Sequence, residues 1–304
     1  MANQLLFIAG SDIDYYYDVE SFLGAGDACI AKPLGSNVGG CVLNAASVCA
    51  ILGSNVKVLD YLKANDEGTD LLINELNNHH VDTSDIKYGE DVINGSCLIM
   101  KNGNEKCIYV IDPKKPFYEE DSNLKQLLFN SKYIYSLMAI INKSFKNLSL
   151  LKEAKNNGTK VIFDGGSQYN NQKEVDTLLD LTNGLFINKT AYQRLKDICQ
   201  KEPLDLLFEK NLEFACITDG DKGATCYTKE KIYKKEIYKV DVVDSTGAGD
   251  SFAGCFLHFL SQGYSYEDCL NYASANGAYA CLNKGGMAGA ISQTELLNFI
   301  NNRY

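Results

Sequence analysis

Short apolar runs of strand length alternate along this chain with stretches in which apolar positions recur every three to four residues. The runs at residues 5–9, 56–59, 133–135, 161–163, 185–187 and 215–218 predict strands. Helices are predicted near 41–52, 66–78, 144–157, 171–182, 190–199 and 204–210. Strand, helix, strand in repetition implies an α/β fold. The expected architecture is a three-layer α/β/α Rossmann-like domain, with a mainly parallel sheet and ligands at the carboxyl ends of its strands. Beyond Thr218, residues 224–227 and 232–233 flank Thr-Lys-Glu-Lys and predict a hairpin, followed by helices at 248–262, 266–282 and 293–301. The Lys-rich stretch 229–239 reads as the solvated face of that hairpin.

Two regions break the alternation. Residues 14–32 are rich in Tyr, Asp and Gly. In 92–111, Ser-Cys-Leu-Ile-Met and Lys-Cys-Ile-Tyr-Val flank Asn102-Gly103, a hairpin signal. These segments predict a small β-sheet lid, built from about 14–34 and 90–115, on one domain spanning 1–304. Length allows this, since 304 residues bury a full core.

Charge narrows the partners. A net charge of −10 argues against nucleic acid, whose phosphates want a basic face. The eleven cysteines contain no C-x-x-C pair and sit mostly in apolar surroundings, as reduced thiols of a cytoplasmic protein do. The three histidines form no metal motif. The first ten residues read as a strand rather than a signal peptide. No apolar stretch approaches the ~18 residues of a membrane helix.

The strongest chemical feature is Asp244-Ser-Thr-Gly247-Ala248-Gly249-Asp250, followed by a helix with Phe252, Phe256, Phe259 and Leu260 on one stripe and Gly263 at its end. Glycines at a helix start let backbone approach a ligand closely, and the free N–H groups of the first turn bind anions. An acidic residue there is favoured by the helix dipole alone. A carboxylate beside an anion-binding turn can also take a proton from a hydroxyl while the turn holds a phosphoryl group. A second Gly-Ala-Gly-Asp, at 24–27, lacks the preceding Asp-Ser-Thr and is followed by Cys-Ile-Ala-Lys-Pro33, so it reads as a turn in the lid region. No G-x-x-x-x-G-K-[ST] P-loop is present, and no G-x-G-x-x-G follows the first strand.

The segment 244–250 resembles the C-terminal signature of the ribokinase family, the PfkB-type carbohydrate kinases. Gly39-Gly40-Cys-Val-Leu-Asn44 is similar to that family's N-terminal signature, and Asp12-Ile-Asp14 to its sugar-binding acidic position. Thr218-Asp-Gly220-Asp-Lys-Gly223 resembles its nucleotide-binding turn, and Asn283-Lys-Gly285-Gly286 the segment closing over the base. The resemblance implies a ribokinase-like fold with a lid that pairs two subunits into a homodimer. It implies transfer of the γ-phosphoryl group of ATP to a hydroxyl of a small sugar, with Asp250 as base and the amides of Gly247, Ala248 and Gly249 as anion hole. Asp12, Asp14, Gly39, Gly40 and Asn44 would hold the substrate. Asn188, Thr218, Gly220, Gly223, Gly285 and Asn276 would contact ATP, accompanied by magnesium. Asp244 and Thr246 would bind a monovalent cation such as potassium.

Three departures bear on this expectation. The family's Asn-x-x-Glu reads Asn188-Lys-Thr-Ala191, so magnesium would rely on ATP phosphates, water and other groups. Cys41 stands where a lysine often follows the glycine pair. The Asp-x-Asn-x-Arg of fructose-type members is Asp164-Gly-Gly-Ser-Gln168, and the missing Arg favours an unphosphorylated acceptor. A nucleoside kinase is the close alternative, with Tyr15-Tyr16-Tyr17 available to stack on a base. A non-catalytic binding protein is supported by the altered 188–191 motif and opposed by the intact 244–250 turn.

Overall fold

The computed structural model describes residues 4–103, 105–166 and 172–302. The first half contains β1 (Gln4–Ile8), β2 (Asp12–Asp18), β3 (Lys32–Gly39), α1 (Cys41–Ile51), β4 (Asn55–Leu59), β5 (Tyr61–Lys63), α2 (Glu67–Asn78), β6 (Lys87–Gly89), β7 (Gly95–Asn102) and β8 (Glu105–Ile111). Then come α3 (Ser122–Asn130), β9 (Tyr133–Leu137), α4 (Met138–Ser144), α5 (Ser149–Asn156), β10 (Lys160–Asp164), α6 (Gln172–Leu181), β11 (Gly184–Asn188), α7 (Lys189–Cys199) and α8 (Pro203–Glu209). The last part holds β12 (Phe214–Thr218), β13 (Ala224–Thr228), β14 (Ile232–Lys235), α9 (Ala248–Ser261), α10 (Tyr266–Ala280) and α11 (Gln293–Asn301).

Side-chain alternation in the strands separates two apolar layers. Leu5 and Phe7 of β1 join one core, with α1, α2, α9, α10 and α11. Leu6 and Ile8 join the other, with α3 to α8. This is the three-layer α/β/α arrangement that the alternation of elements predicts. The main sheet runs β14-β13-β12-β11-β10-β9-β1-β4, parallel except for the β13–β14 hairpin. From β1 the chain moves outward to β4 and then returns to β9 on the other side. That reversal opens a crevice beyond the carboxyl ends of β1 and β9.

A separate four-stranded sheet has the order β3-β2-β7-β8. It is mixed, because β2 pairs antiparallel with β3 but parallel with β7. It occupies residues 12–39 and 95–111, so its first pair starts earlier and ends later than the expected 14–34. A two-stranded sheet, β5-β6, also forms. The helix expected over 144–157 starts later, as α5 from Ser149, and α4 precedes it where no helix is predicted. Phe145 leaves helical geometry (φ −123°, ψ 131°) to bury its ring against Tyr118, 5.5 Å away, and Asn147 Oδ1 accepts from Ser149 N where α5 begins. Helix α3 lies where no helix is predicted; Asp121 caps it, accepting from Leu124 N at 2.8 Å. Among the described residues, no helix is long and apolar enough to cross a membrane.

Candidate active site

Helix α9 starts at Gly247, whose φ of 77° is left-handed and whose missing Cβ would overlap the Gly286 carbonyl oxygen. The rings of Phe252 and Phe256 pack on Phe186 of β11 at 6.2 and 5.3 Å, fixing the helix on the sheet. Gly254 lets α1 come close, since a Cβ there would overlap the Ala45 carbonyl. The starts of α1 and α9 therefore lie side by side. Asn44, in the first turns of α1, donates from Nδ2 to Asp250 Oδ2 at 2.7 Å. Asn44 is 5% exposed, and its Oδ1 is buried with no partner within the protein.

Asp250 is half-buried. Burial pushes its carboxyl up to about 7; the Asn44 bond opposes this and the charge of Asp164 adds to it. A group with that proton affinity is poised to act as a base near neutrality. Asp164, at the end of β10, accepts from Tyr135 Oη at 3.0 Å and from Gly166 N at 2.9 Å. Burial raises its carboxyl too, against those two bonds. The thiol of Cys41, first residue of α1, is driven well up by burial and then by Asp250 and Asp164. At the α9 start, Ala248 N donates to Ser245 O at 3.3 Å, while helix geometry leaves the other first-turn amides without intrahelical partners.

The small sheet leads through Gly40 directly into α1. Asp12, Asp14 and Tyr16 share one face of β2, and Tyr15 and Tyr17 the other. Asp14 lies against Gly39, where a Cβ would stand 3.2 Å from its Oδ2. Burial raises the Asp14 carboxyl more than its bonds from Cys97 and Tyr16 lower it. Burial, opposed by Lys115, pushes Asp12 up to about 6. Lys115 itself pairs at 2.7 Å with Asp60, which also accepts from Ser11 N and Tyr61 N. Gly40, left-handed at φ 104°, joins β3 to α1 where a Cβ would stand 3.0 Å from Gly10 O.

A second group of expected residues lies at the ends of β11 and β12. Asn188, Thr218 and Gly220 line a cleft of about 280 Å³, together with Lys189 and Asp219, which pair at 2.6 Å. Asn188 caps α7 through Ala191 N at 2.8 Å, and Ala191 is buried. Gly223 packs on the backbone of Lys235. Asn276 is fully buried and donates to Gly289 O at 3.0 Å, so it braces the 285–289 loop. Asp244 ties that loop to the turn before α9, with Oδ1 accepting from Thr246 N and Oγ1 and Oδ2 from Gly285 N. Burial would raise the Asp244 carboxyl, but these bonds outweigh it and leave it below its ordinary value. Among the described residues, no group of three or more His, Cys, Asp or Glu is placed to hold a metal ion. The buried alanine at 191 likewise offers no oxygen ligand. Ser167 and Gln168 lie outside the described residues.

The turn at 247–250 and Asn44 thus meet, Asp14 and Gly39 lie together on the small sheet that leads into α1, and Asn188, Thr218 and Gly220 line a separate cleft. Sequence reasoning did not single out Tyr135 or the Asn44–Asp250 bond. Strand alternation was the available signal for Tyr135, because it puts that residue and Asp164 on the α9 side of the sheet.

The sequence as a whole places this chain among kinases that phosphorylate an alcohol group. The chain belongs to the pfkB family carbohydrate kinases, whose sequence profile matches residues 3–293. It is 27% identical over 279 residues to the nucleoside kinase of Methanocaldococcus jannaschii, covering 90% of this chain and 88% of that protein. It is 27% identical over 301 residues to the ribokinase of Dictyostelium discoideum, covering 90% and 93%. The solved structure of Arabidopsis thaliana ribokinase complexed with ribose and ATP superposes with a TM-score of 0.87 at 22% identity, covering 99% of both chains. These names span sugar and nucleoside kinases, and the acceptor class is fixed no more narrowly than that.

Proposed function

We propose that this kinase transfers the γ-phosphoryl group of ATP to a hydroxyl of a small unphosphorylated sugar. The observation that carries the reading is Asp250, a carboxylate with a proton affinity near neutrality, held by Asn44 in the first turn of α9. As the acceptor oxygen bonds to the γ-phosphorus, its proton passes to Asp250 and the bond to ADP breaks. The amides of Gly247, Ala248 and Gly249 and the helix dipole stabilise the charge on the moving phosphoryl group. Asp14 and the free Oδ1 of Asn44 accept hydrogen bonds from sugar hydroxyls, with Asp12, Gly39 and Gly40 shaping that wall. Two carboxylates there repel an acceptor that already carries a phosphate. Lys115 and Lys143, whose charges act against the rise of Asp12, are themselves paired with Asp60 and Asp112.

ATP would lie in the cleft of Asn188, Thr218 and Gly220, against Gly223 and beside the loop braced by Gly285 and Asn276. Magnesium would be held mainly through the phosphates and water. Potassium would sit near Asp244 and Thr246, whose oxygens are the donors such an ion prefers. The small sheet would act as a lid and pair two subunits through exposed apolar residues of β3 and β8 such as Leu34, Ile108 and Val110. The cytoplasm suits eleven cysteines that are all free thiols. A nucleoside acceptor is the second reading, favoured by Tyr16, which shares its face of β2 with Asp14.

The test is ADP release with Mg-ATP and separate panels of free sugars, sugar phosphates and nucleosides, with and without potassium. Turnover confined to free sugars is expected. Turnover confined to nucleosides transfers the assignment to the second reading, and turnover only with sugar phosphates ends both.

A further inference from the structure

Four stretches of chain join the small sheet to the rest of the molecule: residues 9–11, Gly40, residues 90–94 and residues 112–121. Three of them converge on Asp60, the residue that follows β4. Asp60 is fully buried, and its two carboxylate oxygens are divided between two of the links. Oδ2 accepts from Ser11 N at 3.0 Å and from Ser11 Oγ, and Ser11 is the last residue before β2. Oδ1 accepts from Lys115 Nζ at 2.7 Å, in the link that follows β8, and from Tyr61 N at 2.7 Å. The third link is tied to that same stretch one residue away, where Ile93 and Lys114 exchange backbone bonds of 2.9 and 3.1 Å. Pro113 and Pro116 stiffen the chain around Lys115, and the Tyr118 ring stacks on Tyr61 at 5.2 Å. Asp60 itself is fixed by the main sheet, because Ala9 N bonds to Leu59 O and carries the pairing of β1 with β4 up to its neighbour.

A buried ion pair adds little net stability, since desolvation offsets its attraction, whereas the geometry it fixes is definite. Ser11 leads directly into β2 with Asp12 and Asp14, and Gly95 of β7 closes on Asp12, where a Cβ would overlap Asp12 Oδ1. We propose that Asp60 is a positioning residue for the acceptor: by holding Ser11 and Lys115 with its two oxygens, it sets the attitude of the small sheet on the main domain and with it the place of Asp12 and Asp14. Asp60 touches neither acceptor nor nucleotide in this role. It acts through the start of β2 on one side and the chain leaving β8 on the other, so loosening either grip lets the sheet swing and spreads Asp12 and Asp14 over several places. The cleft of Asn188, Thr218 and Gly220 belongs to the main sheet and keeps its shape. The effect on acceptor binding rests on the reading of Asp14 as an acceptor ligand; the effect on the attitude of the sheet does not.

Two measurements test it. The first is steady-state kinetics with the acceptor that the wild type turns over. In Asp60→Asn, the acceptor KM should rise roughly tenfold, with kcat and the ATP KM each within about threefold of wild type. An unchanged acceptor KM overturns the proposal. So does an ATP KM that rises as far as the acceptor's, which would make Asp60 a brace for the whole fold. The second measurement is amide hydrogen exchange in the ligand-free protein. The amides of Ile93 and Lys114, which bond to each other's residues and not to Asp60, should exchange roughly tenfold faster in Asp60→Asn, while those of β10, β11 and β12 keep the wild-type rate. Equal acceleration in both places, or in neither, overturns the proposal. If Asp60→Asn does not fold, Lys115→Met, which leaves the bonds to Ser11 in place, must show both effects by itself, and their absence overturns the proposal. If the wild type phosphorylates no free sugar, the sugar reading fails while the exchange rates still decide whether Asp60 places the sheet.

Discussion

The chain spells Gly-Ala-Gly-Asp twice, at 24–27 and at 247–250, and the two copies share almost nothing else. The first lies wholly exposed in the loop between β2 and β3, closed by one long bond from Asp27 N to Gly24 O at 3.3 Å. A Cβ on Gly26 would meet nothing within 4 Å. The second opens a fourteen-residue helix pinned by aromatic rings. There, Gly247 has no room for a Cβ and the aspartate is drawn into a pocket with Asn44 and Asp164. Four letters specify a turn in both places. The helix that continues the second copy, and the groups packed on it, draw its carboxylate into a buried setting that the first copy lacks.

The largest expected contrast is in turnover. Asp250→Asn should lower kcat by roughly 10²–10⁴-fold with nearly unchanged ATP affinity, whereas Asp27→Asn should stay within about twofold of wild type. Steady-state ADP release checks both, and equal effects would erase the distinction. The next contrast is in folding. Gly247→Ala must accept a left-handed φ and a clash with Gly286, and should cost about 2–4 kcal/mol in urea unfolding. Gly26→Ala faces only a positive φ of 92° and should cost about 1 kcal/mol.

Smaller effects come from protons. With Asp250 near 7, kcat/KM should rise through neutrality and level off above it. Asn44→Ala, by removing a donor to the ionised form, should shift that rise to higher pH. Stability should run the other way. An unfolded aspartate titrates near 3.8, so between there and about 7 the folded protein holds one more proton than the unfolded chain, and stability falls as pH rises through this window. Asp250→Asn should therefore melt a few degrees above wild type at pH 8 and match it near pH 4, as differential scanning calorimetry can show.

How much of this was legible in the sequence depends on how local each cause is. The strands of the main sheet are nearly continuous apolar runs, and they stand where predicted because burial on two faces leaves few alternatives. Strand β2 was harder, since its acids all share one face with Tyr16, while Ile13, Tyr15 and Tyr17 make up the other, and it carries no apolar run. The break at Phe145 depends on a ring finding Tyr118, and periodicity within a window does not contain that partner. The glycine turn before α9 was legible from its own letters. The bond from Asn44 to Asp250 spans most of the chain and becomes visible only when α1 and α9 are laid together through Gly254.

The contact of Gly247 with Gly286 has a consequence for anyone reshaping this enzyme. Two stretches far apart in the chain meet backbone to backbone, with no side chain between them to absorb a change. Variants in the 283–289 loop will shift the turn at 247–250 as well, and their effects will not add to those of changes made around 247. A library that samples both segments together can reach combinations that stepwise substitution would discard.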